Sequence, residues 1–125
     1  MAGTIRVIQS IRVTNGNSDL PAIGASQVSF VQDAVGGPTP GTVATSTTAA
    51  AVDLSELTTE GWVRMKNLDD TISIHWGPDK GASTIQKIGT MEAGESALFR
   101  LFAGATLMLE AASGTPLCEV LAFED

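Results

Sequence analysis

The chain has 125 residues, 43 per cent of them apolar, with 7 basic against 14 acidic side chains and a net charge of -7. That length suits one domain able to bury a core without metal or disulfide staples, and the apolar share excludes wholesale disorder. The acidic balance disfavours nucleic acid and anionic membrane as partners, leaving a local patch of Arg6, Arg12, Arg64, Lys66 and Arg100 as the one basic alternative.

In chain order, TIRVIQSIRVT at 4–14 places Ile5, Val7, Ile11 and Val13 on one side and Arg6, Ser10, Arg12 and Thr14 on the other. That period of two predicts a half-buried strand. Asn15-Gly16-Asn17 signals a turn, and ASQVSFVQ at 25–32 predicts a second strand. A Gly/Pro loop follows at 33–42, with little to pack, and then a Thr/Ala-rich extended segment at 43–53. No charge falls between Asp33 and Asp53. Such a run suits either an extended strand lying flat on the domain or a surface covered by a neighbouring chain. Asp53-Leu54-Ser55-Glu56-Leu57 is the candidate for a helical turn, capped by Asp or Ser. Strands are then expected at 61–66, 71–76, 84–88, 95–102, 105–112 and 117–124, separated by NLDD, GPDKG, EAGE, AGA and SGTP. About eight or nine strands at this spacing predict a single all-β domain over 1–125, a β-sandwich or jelly roll with a small β-barrel as runner-up.

No apolar run approaches the roughly 20 residues of a membrane-spanning helix. The start MAGTIRVIQSIRV lacks the charged, apolar and small-residue zones of a signal peptide, which points to a cytosol. The single Cys118 excludes an internal disulfide. Its alternation with Val120 and Ala122 reads as a small buried hydrophobe rather than a reactive thiol.

The only histidine, His75, lies in DDTISIHWGPDKG at 69–81. On a strand, Ile72, Ile74 and Trp76 share the core side, and Thr71, Ser73 and His75 share the other. Ser73 and His75 would then stand about 6.5 to 7 Å apart at the backbone, side by side on a wet face. A catalytic triad needs hydrogen-bond contact and a buried acid behind the histidine, so nucleophilic catalysis is not expected. Zinc wants several His or Cys ligands, and the chain has one of each. Asp69, Asp70 and Asp79 lack the spacing of a calcium loop and read as turn residues. Glu110 and Glu119 fall on alternating outer positions, so a paired-carboxylate glycosidase has little support. Trp62 could serve as an aromatic platform of a carbohydrate-binding module, with Trp76 expected in the core. No cofactor, no metal and no enzymatic activity are expected.

The runs GWVRMKNLDDTISIHWG, IGTMEAGESALFRLFAGATLMLEA and LCEVLAFED carry a resemblance. A strand enters an Asn-Leu-Asp turn, the next ends in Trp-Gly, an Ala-Gly-Glu turn follows, and apolar strands run to an acidic end. Over about residues 54–125 this resembles small structural proteins of tailed bacteriophages, of the capsid decoration (cement) type. The resemblance implies a virion protein on the capsid surface, made in the bacterial cytoplasm. Its partners would be the major capsid protein and further copies of itself, a trimer among the forms considered. Other virion positions, such as a head-fibre base, neck or tail, are the alternatives. The candidate interface residues are Arg6, Arg12, Val43, Thr45, Thr47 and Trp62, with exposed strand edges available for strand addition.

Overall fold

The protein is described by a computed structural model that covers residues 4–11, 14–15, 18–19, 23–31 and 37–125. The chain divides into two compact units, Met1–Val35 and Gly36–Asp125.

In the first unit, β1 (Thr4–Ile11) pairs antiparallel with β4 (Ile23–Val31), from Thr4 opposite Val31 to Ile11 opposite Ile23. Two short strands, β2 (Thr14–Asn15) and β3 (Ser18–Asp19), pair with Asn15 opposite Ser18. The alternation at 4–11 has its expected sense, for Val7 is buried while Arg6 and Ile8 are exposed.

The second unit is an all-β sandwich. Its strands are β5 (Thr39–Ala44), β6 (Ala50–Ala51), β7 (Glu60–Asn67), β8 (Ile74–Pro78), β9 (Gly89–Met91), β10 (Ser96–Arg100), β11 (Leu107–Ala111) and β12 (Leu117–Glu124). They form two antiparallel sheets, in the orders β10-β7-β12-β5 and β6-β11-β8-β9. β7 and β12 turn alternate residues inward because side chains alternate across a pleated strand, whereas β11 buries Leu107, Met108 and Leu109 in succession. Thus Val63 and Met65 of β7 and Cys118, Val120 and Ala122 of β12 are buried with Ile74, Met91, Leu107 and Leu109 of the other sheet. Each fully buried Val, Ile, Leu or Met contributes roughly 1.5–3 kcal/mol.

Three expectations change in detail. The strand expected at 71–76 starts only at Ile74. The Asp69 carboxylate takes the N–H groups of Thr71 and Ile72 at 2.8 and 2.7 Å, which withdraws them from the ladder. No regular strand forms at 84–88. Ile85 is buried and Ile88 is 64% exposed, and three residues apart they cannot share one side of a strand. The stretch bonds irregularly along β8 instead, Gln86 N to Pro78 O and Ile88 N to Trp76 O, and the ladder proper begins at Gly89. The Gly/Pro segment at 33–42 contributes the start of β5. Pro40 fits there because β5 is an edge strand, where a missing N–H costs no ladder bond. The helical turn expected at 53–57 is one tight turn, closed by Leu57 N to Leu54 O and capped by Asp53 accepting from Ser55 N.

Candidate functional site

His75 on β8 and Ser73, one residue before that strand, are half-buried and bond to separate partners. His75 Nδ1 and Thr90 Oγ1 share a 2.9 Å hydrogen bond. Ser73 Oγ donates to Glu92 Oε2 at 2.6 Å. Glu110 stands opposite His75 in the ladder, yet its carboxylate is held by Lys87 at 2.7 Å. The structure does not bring these groups together as nucleophile, base and acid. Asp69 and Asp79 brace turns, Asp79 by accepting from Gly81 N and Thr84 N. The two backbone bonds to Asp69, from Thr71 first and Ile72 second, hold its carboxyl below the ordinary value. Among the described residues, no group of three His, Cys, Asp or Glu is arranged to hold a metal ion. Cys118 is fully buried, and burial pushes its thiol up to about 11, with Glu119 adding to the shift.

The sequence-derived interface residues scatter. Arg6 is exposed on β1 of the first unit, and Arg12 lies outside the described residues. Val43 packs against the sandwich core. Thr45 is buried and its hydroxyl donates to Pro116 O at 2.7 Å, so it serves the fold. Thr47 is exposed, and Trp62 is half-buried on the outer side of β7. Arg64 is paired with Glu119 at 3.0 Å and Arg100 with Asp125, so two of the five basic-patch residues are matched by acids.

The feature that stands out lies at one end of the sandwich. Trp76 of β8 stacks on Phe99 of β10, with ring centroids 4.8 Å apart and planes within 4°, so the stack joins the two sheets. Gly89 packs close against the indole, where any Cβ would fall 2.3 Å from the ring. Beside the stack opens a groove of about 310 Å3, lined chiefly by Trp76, Ile88, Phe99, Leu101 and Phe102, with Arg100 at its border. Ile88 is 64% exposed and Phe102 is 84% exposed.

Phe102 is held out by its turn. Ala105 N donates to Phe102 O at 2.9 Å, and Gly104 takes φ 84°, a value that favours glycine at the third place of such a turn. Glu60 accepts from Gly104 N at 3.0 Å, and Leu101 N donates to Gly61 O at 2.9 Å. The ring is therefore presented by a turn bonded on both sides. Phe102 lies two residues past Arg100, the last residue of β10, in step with that exposed side chain. A large aromatic on that side, just before Ala-Gly-Ala, was the available sequence signal.

Comparison of the chain with protein-family models, curated proteins and solved structures finds no match.

Proposed function

We propose that this protein is a structural component of a tailed-bacteriophage virion that binds the capsid exterior and stabilises the shell. The observation that carries the reading is the pair of large apolar side chains, Phe102 and Ile88, left beside an apolar groove on a braced sandwich. Exposed apolar side chains grouped beside a groove suit contact with another macromolecule. The phage assignment itself comes from the resemblance over about residues 54–125. Its turn features sit at strand junctions of the sandwich. Asn67 opens the Asn-Leu-Asp turn, and its amide reaches across to the carbonyls of Ile72, Met91 and Glu92. The Ala-Gly-Glu turn is closed by Glu95 N donating to Glu92 O. A rigid scaffold with an adhesive end suits a protein that clamps preassembled subunits.

Co-sedimentation with empty capsids from the same source tests the reading. Saturation at a fixed ratio to the capsid subunit, with greater shell resistance to heat, is the expected result. No binding to shells, together with absence from purified particles, overturns it.

A further inference from the structure

We infer that the loop Pro78–Thr84 is a recognition loop, which holds a donor-rich tip for an acidic segment of the partner. The inference rests on the capsid reading and names the chemistry that the partner brings beside the groove.

The loop breaks a local rule. Ala82 and Ser83 stand at φ 55° and 56°, and among the described residues they are the only ones other than glycine at positive φ. A Cβ is crowded by backbone in that region, so glycine is the stable choice, as Gly81 just before them has φ 116°. Two side chains are thus kept where glycine would fold more easily. Packing does not offset the cost, for Pro78–Thr84 are exposed throughout and a Cβ on Gly81 would meet nothing within 4 Å. Hydrogen bonds hold the shape instead. Asp79 Oδ1 accepts from Gly81 N at 2.8 Å and Thr84 N at 3.2 Å, and Lys80 N donates to Thr84 O at 2.8 Å. Backbone strain of this kind clusters where a fixed shape serves contact.

What the tip offers is donors. Among the described residues, the N–H groups of Ala82 and Ser83 meet no acceptor. The Lys80 ammonium is in no ion pair among those residues, whereas Arg64, Lys87 and Arg100 of the same unit each pair with an acid. Asp79, the nearest acid in sequence, turns its carboxylate onto the loop's own N–H groups. A chain of net charge -7 therefore keeps an exposed cation next to two free backbone donors. Their complement is a carboxylate, which accepts several charge-assisted bonds at once. The loop also sits where such a contact would count. Pro78, its first residue, lines the groove, and Asp79 N donates to Thr106 O on the groove wall at 3.3 Å. Interfaces surround an apolar centre with a polar rim. The partner segment then carries an apolar side chain for the groove and an acid beside it for Lys80.

Co-sedimentation of the full chain with empty capsids, over a range of salt, compares the parent with two variants. Lys80→Glu should weaken binding on the order of tenfold at low salt, and the difference should shrink as salt rises. Its thermal unfolding midpoint should stay put, which separates lost binding from lost folding. The double variant Ala82→Gly with Ser83→Gly should have a midpoint higher by roughly 4–8 °C, because glycine relieves the strain. It should nonetheless bind less tightly, because the loop is no longer held in shape. A loop that serves only the fold would show no such opposition between stability and binding. Capsid binding by the parent that Lys80→Glu leaves unchanged at every salt concentration would overturn this inference and leave the proposed function standing. So would a double variant that binds as tightly as the parent or melts below it. A parent that binds no shells would overturn the proposed function and this inference with it.

Discussion

Replacing Asn67 by alanine should destabilise the sandwich by about 2–4 kcal/mol. The side chain is fully buried at the end of β7 and makes four hydrogen bonds. Its two amide hydrogens are shared among Ile72 O at 2.7 Å, Met91 O at 3.1 Å and Glu92 O at 3.2 Å, and its carbonyl accepts from Asp69 N at 3.0 Å. Each such bond contributes a net of about 1 kcal/mol, and a buried group left without a partner costs about 1–3 kcal/mol. Only the bond to Met91 O is wholly buried, so water can restore part of the rest, which sets the middle of that range. A unit of this size should lose about 4–8 °C in Tm per kcal/mol, hence roughly 10–30 °C. Asn67→Asp keeps the shape and reverses the donor. Its carboxylate would face three carbonyl oxygens in a dry site, so the folded form would prefer the proton and hold a raised pKa. The stability of this variant is then greatest below the unfolded carboxyl value of about 3.9 and falls as pH rises through the raised folded value. Urea titrations at pH 7 and pH 4 measure both effects. The aspartate variant should be the weaker of the two at pH 7 and should recover towards the alanine variant at pH 4. Two variants within about 0.5 kcal/mol of the parent at both pH values would refute the role given to Asn67.

Asp69 gives a pH prediction of the opposite sign. Its carboxyl is held below the ordinary value by the N–H groups of Thr71 and then Ile72, so its contribution is present above that value and lost as pH falls beneath it. Asp69→Ala should flatten the acid side of the Tm–pH profile below about pH 4, and an unchanged profile would show the bonds to be idle. Cys118 should resist a disulfide-exchange reagent at pH 8 in the native protein, because burial keeps its thiol protonated up to about 11. Unfolding in guanidinium should release one reactive thiol per chain; rapid native labelling would contradict the buried site.

The strands legible in the sequence are those that alternate cleanly, β7 and β12. β12 spans Leu117–Glu124, matching the expected segment, and Cys118, Val120 and Ala122 face the core together. The same alternation carries Glu124 inward, where its Oε1 accepts from Thr58 N at 2.6 Å. Hydropathy alone would have placed that carboxylate in water. Thr45 shows the same gap, since its hydroxyl finds a backbone carbonyl 71 residues away and becomes a core residue. A small uncharged side chain looks alike in sequence whether it meets a partner chain or its own. The groove is not legible in the sequence for a geometric reason. Trp76, Ile88, Phe99 and Phe102 belong to separate strands and turns, and only the closing of two sheets brings them to one end.

The order of strands in the first sheet has a consequence for biosynthesis. β12 sits between β7 and β5, and it is the last strand of its sheet to leave the ribosome. β5 is translated more than seventy residues earlier and has no neighbour in that sheet except β12. For most of translation, then, β5 waits as an unpaired strand, the state most open to pairing with another nascent chain. Its sequence, TPGTVA, answers that exposure. Proline withholds a donor, and the small residues offer little apolar surface to a stranger. The same topology makes the closing contact a long-range one, so folding should be slow for a chain of this length. A segment that reads as a poor strand on its own suits a sheet whose middle arrives last.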